Sequence, residues 1–94
     1  MELKKTSAQE LKDTVPFMLS DDYKERFISE YKQTKIRHRR LRNFNTTIEA
    51  AKYLKTSEPS HDCPYELLKE QQRIMGEYLR ILEIRAIIEG VDLT

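Results

Sequence analysis

The chain has 94 residues, a formal net charge of +1, and 35% charged against 38% hydrophobic residues. That length allows one domain with a limited core, and small helical chains often complete theirs by association. Cys63 is the only cysteine, which excludes an intrachain disulfide and fits a reducing compartment. No apolar run approaches the roughly 20 residues a bilayer-spanning helix needs. The stretch Met1 to Glu10 lacks the apolar core of a secretory signal, so a cytoplasmic location is expected.

The sequence holds only two glycines and three prolines, so breakers are scarce and long helices follow. The expected fold is all-α: a short N-terminal helix and a long antiparallel two-helix hairpin that oligomerises through the hairpin. Residues 1–19 form the arm, and residues 20–94 the hairpin. In the arm, Ser7 and Glu10 have the spacing of a capping box. A helix of about three turns would follow, with Leu11 and Val15 on one face, ended or kinked at Pro16. The arm could cover the hairpin or brace a neighbouring copy, and the second is favoured because Leu11, Val15 and Phe17 need burial.

Ser20, Asp21 and Asp22 supply caps and first-turn acids for the second helix. From Tyr23 to about Leu54 there is neither glycine nor proline. Phe27, Tyr31, Thr34, His38, Leu41, Asn45 and Ile48 recur in steps of four and three, the spacing of a heptad seam. Three of the seven are polar, which an ordinary coiled coil would not favour. Ile28, Ile36, Phe44 and Ala51 widen the apolar face. A loop over Lys55 to Cys63 precedes Pro64, which suits the first helical position. The third helix reaches about Glu89, with Gly90 as its terminator. It is apolar around more of its circumference than one partner can cover. The surplus at Ile81, Ile84, Ile87 and Ile88 predicts contact with other copies.

Four features carry chemistry. Lys32, Lys35, Arg37, Arg39, Arg40 and Arg42 form a basic band, and no acid occurs from Gln33 to Ile48. Arginine forks suit phosphate oxygens, although Glu66, Glu70 or Glu77 of the third helix could neutralise the band. Arg85 falls on the apolar stripe and, if buried, needs a partner such as Asp21, Asp22 or Glu25. Asn43, Asn45, Thr46 and Thr47 could bond a base or phosphate, or the helix backbone itself. Tyrosines and phenylalanines could stack on bases or fill the core. His61 and Cys63 are too few ligands for zinc, and no metal or cofactor is expected. There is no Gly-rich phosphate loop and no acid/base pair of carboxylates, so catalysis is not expected.

Three stretches occur in order: Asp22-Tyr-Lys-Glu-Arg-Phe-Ile-Ser-Glu-Tyr31, then Cys63-Pro64, then Met75-Gly-Glu-Tyr78-Leu-Arg-Ile-Leu82-Glu-Ile-Arg85. Together they resemble the small phage hairpin family that includes the inhibitors of cyclic-oligonucleotide-based antiphage signalling (CBASS) and the related Thoeris inhibitors. The resemblance covers about Asp21 to Glu89. It implies a non-catalytic sponge that hides cyclic di- and trinucleotide messengers in the host bacterial cytoplasm, assembled as a homo-oligomer, typically a hexamer, with ligands held between protomers. Neither a membrane nor a nucleic-acid polymer is an expected partner. Carried over by position, Tyr23 would stack on a base, Arg37 and Arg40 would contact phosphate, and Arg85 would clamp phosphate at a shared pocket. Asn43 and Thr47 join them as candidate ligand-binding residues. The basic band and the segment before Ser20 depart from the family pattern. Two readings of another class stand beside this one: a nucleic-acid-binding helical protein and a structural or adaptor hairpin.

Overall fold

A computed structural model describes residues 5–94, which are helical with no strand among the described residues. Helix α1 spans Ser7–Asp13, α2 Val15–Met18, α3 Tyr23–Leu54 and α4 Tyr65–Glu89. The first helix is capped one residue earlier than its Ser7–Glu10 spacing suggested. Thr6 accepts from the Gln9 amide, and the Gln9 side chain accepts from the Thr6 amide. Threonine and glutamine satisfy the same box chemistry, so the neighbouring pair supplies it. The chain breaks at Thr14, just ahead of Pro16, and restarts as α2 with the proline in its first turn, where a missing N–H costs little.

Asp22 caps α3, its carboxylate accepting from the Lys24 amide at 2.9 Å. The helix then runs unbroken for 32 residues and ends where Lys55 turns left-handed at φ 57°. Pro64 lies one position outside its expected place. Its extended backbone makes it the N-cap of α4, and its carbonyl accepts from Leu67 and Leu68. Gly90 stops α4 at φ 71°, a conformation that a side chain would strain. The chain then folds back so that Val91 donates to the Ala86 carbonyl and is itself buried.

The helices α3 and α4 pack on each other, and ascending positions on α3 meet descending positions on α4. Phe27 lies under Arg85, Tyr31 bonds Glu83, Asn45 reaches Leu68 and Gln72, and Glu49 meets Tyr65. Phe27, Tyr31, Leu79, Leu82, Ala86 and Val91 form the core cluster, flanked by Ile28 and Leu93. Further along, Ile48 and Ala51 are buried, as is Asn45. The polar seam residues are thereby accounted for in part. The Asn45 amide donates to the Leu68 carbonyl and the Gln72 side chain, while its own oxygen has no partner. His38 sits against Gly76, where a Cβ would come within 3.5 Å of its Nε2.

Two expectations need correction. Ile36 does not widen the face towards α4. Ile36 lies nine residues from both Phe27 and Asn45, and nine steps of 100° put it on the far side of the helix from that seam, where it is nevertheless buried. What covers that side is the arm, which lies on α3 of its own chain. Gln33 donates to Thr14 at 2.8 Å, and Arg39 reaches Glu10 at 2.5 Å. The apolar arm residues that seemed to need a neighbour find α3 first. Phe17 lines a cavity shared with Ile28 and Ile36.

Candidate functional site

The six candidate ligand-binding residues fall into two groups. Tyr23 and Arg85 come together where α3 begins and α4 ends. Arg85 is not buried, because the stripe it shares with Ile81 and Ile88 faces outward. Its partner is also not the acids at the start of α3. The guanidinium forks onto Glu89 one turn on, with Nε and Nη2 donating at 2.7 and 3.2 Å. It stands over the Phe27 ring, 4.9 Å from the centroid, a cation–π distance. The Tyr23 hydroxyl lies close enough to Glu89 to favour its charged form. The Arg85 guanidinium and, less strongly, that hydroxyl hold the Glu89 carboxyl below the usual carboxylate range. Arginine and glutamate four apart on a helix were the sequence signal for this pair, and the apolar neighbours of Arg85 masked it.

Arg37, Arg40, Asn43 and Thr47 form the second group, all exposed on α3. Tyr23 and Arg37 are roughly 21 Å apart along the helix axis at 1.5 Å per residue, and Thr47 is farther still. One chain therefore does not gather the six residues around one small ligand. Arg37 lines a groove with Met18, Arg26, Ser29, Glu30, Gln33 and Thr34. Thr47 donates to the Asn43 carbonyl at 3.0 Å, and Thr46 to the Arg42 carbonyl at 2.8 Å. These two hydroxyls have the helix backbone as partner, and Asn45 belongs to the core.

The basic band is not neutralised by the third-helix acids named above. Glu70 and Glu77 are both taken by Arg73 on their own helix. Arg39 is compensated instead from the arm, by Glu10. Among the described residues, Arg37, Arg40 and Arg42 enter no ion pair with a carboxylate. Three guanidinium groups thus stay available to an outside anion.

Three tyrosine–glutamate bonds cross between the helices: Tyr31 to Glu83, Tyr78 to Glu30 and Tyr65 to Glu49. Burial, reinforced by Glu83, pushes the Tyr31 hydroxyl up to about 12. The Glu49 carboxylate does the same to Tyr65. In the loop, His61 meets the Cys63 carbonyl at 2.7 Å and Glu58 at 3.3 Å, and both contacts raise its pKa. No group of three metal-ligating side chains occurs among the described residues, and none of their helices is long and apolar enough to cross a membrane.

Two packed helices with guanidinium groups and tyrosines on their outer surface define a small all-helical module. The family model for Sequestin matches residues 21–88, and the chain belongs to the Sequestin family. The name denotes a sequestering protein, and the match begins after α1 and α2, leaving the arm outside it. No curated protein and no solved structure matches the chain.

Proposed function

We propose that this protein is a non-catalytic sponge that binds cyclic di- or trinucleotide messengers and so blocks host CBASS signalling. The observation that carries the reading is the meeting of Tyr23 and Arg85 on Glu89 beside an exposed apolar surface. An aromatic face and a guanidinium fork are what a purine and its phosphate require. In the free chain, Glu89 occupies the place of the phosphate. A cyclic ligand carries two or three phosphates, and a symmetric assembly supplies one such corner from each copy.

The oligomer belongs to the same proposal. Leu67, Ile74, Ile81 and Ile88 recur every seven residues along α4, all exposed, with Tyr78 and Arg85 between them at heptad spacing. A second copy laid antiparallel over this seam would match Leu67 with Ile88 and Ile74 with Ile81. It would also set Glu70 opposite Arg85, so like patches would meet with opposite charges. The order of contacts between α3 and α4 supports the antiparallel hairpin within each copy. A hexamer would bring the Arg37–Arg40 group of one copy near the Tyr23–Arg85 corner of another, the only way both groups could share a ligand.

The mechanism is stoichiometric. At nanomolar affinity the binding energy is roughly −12 kcal/mol, within reach of several charge-assisted bonds and buried bases. The test is calorimetric titration with a cyclic dinucleotide and a cyclic trinucleotide, with the mass in solution measured alongside. Binding at a fraction of a ligand per chain, with intact ligand recovered on denaturation, is expected. Arg85→Ala should weaken it at least tenfold, and Arg40→Ala less. Recovery of linear products would refute the sponge. Binding to DNA that falls steeply with salt, with no response to cyclic ligands, would favour the arginine band as a polymer site.

A further inference from the structure

The arm and α3 flank an open-sided cavity of about 320 Å³ that lies apart from the Tyr23–Arg85 corner. Its α3 wall is set by helical spacing: Ser29, Lys32, Ile36 and Arg39 recur at intervals of three and four and so share one face, with Ile28 and Lys35 beside them. The arm closes the other side with Glu10, Asp13, Thr14 and Phe17.

The polar groups on the α3 wall are chiefly donors. Ser29 is only 2% exposed, and its oxygen accepts from Gln33 at 3.3 Å. No acceptor for the Ser29 hydroxyl proton occurs among the hydrogen bonds of the described residues. Lys32 and Lys35 form no ion pair within 4 Å there. Lys35 stands 5.6 Å from the Tyr31 ring, and Lys32 lies within Coulombic reach of Asp92, whose oxygen is already held by Thr94. The two acids on the wall are committed. Glu10 binds Arg39 at 2.5 Å and Asp13 binds Lys5 at 2.6 Å. Lys32, Lys35 and the buried Ser29 hydroxyl therefore line a cavity whose apolar lining is Phe17, Ile28 and Ile36.

We infer that this cavity is a binding site for a small organic phosphate monoester. Lys32 and Lys35 would hold the phosphate, the Ser29 hydroxyl would donate to one of its oxygens, and the apolar wall would take the organic body. A buried hydroxyl with an unspent proton gains most from an acceptor that enters the cavity. A phosphate dianion suits two point-charge ammonium groups. The volume is at the lower end for small-molecule sites, which favours a compact ligand over a cyclic dinucleotide. Because the arm lies outside the Sequestin match, this site would belong to chains that carry such an arm. It stands independently of the sponge reading.

The experiment uses the full chain, free of cyclic nucleotide, titrated with adenosine monophosphate and separately with inorganic phosphate. Calorimetry gives the affinity, and backbone amide shifts give the location. Saturable binding at one adenosine monophosphate per chain is expected, tighter than inorganic phosphate by at least threefold. Amide shifts should centre on Thr14, Ser29, Lys32 and Ile36. Lys32→Ala with Lys35→Ala should weaken binding at least tenfold. Ser29→Ala should weaken it several-fold, with helicity and melting temperature as the check on folding. Absence of saturable binding in the wild-type chain, or shifts confined to Tyr23, Arg85 and Glu89, would overturn the assignment. Equal affinity for the two probes would overturn the role of the apolar wall.

Discussion

The two long helices solve the burial problem in opposite ways. Helix α3 is the more polar, yet it buries residues on both sides: Phe27, Tyr31, Asn45 and Ile48 against α4, and Ser29 and Ile36 under the arm. Helix α4 is richer in large aliphatics, yet only Leu79, Leu82 and Ala86 are buried along its length. Ile81, Ile84, Ile87 and Ile88 remain 55, 46, 85 and 77% exposed. Composition therefore does not rank the two by coverage. The polar helix has partners on two faces, and the apolar one has a partner on one. A contiguous apolar surface of that kind marks a place where another molecule sits.

The comparison can be broken most forcefully at the shared core. Leu82 is 1% exposed between the two helices, and Leu82→Ala should cost about 2–5 kcal/mol in denaturant unfolding. A loss below about 1 kcal/mol would mean that the two helices do not depend on each other as described. The outward face of α4 gives the converse test. Ile81→Glu together with Ile84→Glu should leave the helicity of the chain intact and reduce the mass in solution to that of a single chain. An unchanged mass would remove the apolar seam from the proposed assembly.

Titration at high pH tests the bonds that cross between the helices. Tyr31 and Tyr65 are both pushed up to about 12 in the folded chain, against about 10 for free tyrosine. Their contribution is complete below pH 10 and is lost as the pH rises towards 12, so the melting temperature should fall across that window. Tyr31→Phe should shrink the fall more than Tyr65→Phe, since Tyr31 is the buried one. The smallest effect is expected at Gly76. A Cβ there would meet His38 at an ordinary contact distance of 3.5 Å. Gly76→Ala should therefore stabilise α4 by about 0.5–1 kcal/mol through helix propensity alone. A marked destabilisation would show the helices to be closer than the structure places them.

Much of the architecture was legible in the sequence. The absence of breakers between Tyr23 and Leu54, and the cap at Asp22, set the limits of α3. Gly90 set the end of α4, and the isoleucine surplus announced an uncovered face. The errors have local causes. Ser7–Glu10 and Thr6–Gln9 are equivalent capping pairs, and only backbone geometry chooses between them. Ile36 looked like part of the seam because periodicity reveals burial but not which neighbour provides it. The site was less legible than the fold. Arg85 falls on an apolar stripe, and a stripe reads the same whether it faces inward or outward. Its bond to Glu89 was available from the four-residue spacing, whereas the meeting with Tyr23 needed the helices in place. The cavity under the arm left no trace in any single segment, since its walls come from both the arm and α3.

The crossing tyrosine–glutamate bonds have a mechanical consequence. Tyr31 reaches from α3 to α4, while Tyr65 and Tyr78 reach back. Sliding one helix past the other by a single turn, 5.4 Å, would break all three together. The pair therefore resists shear, and the 32 residues of α3 act as a rod of about 48 Å with chemical groups fixed along it like marks on a ruler. Any assembly built from these rods inherits that spacing, and the distance between its sites is set by the length of a helix rather than by its loops.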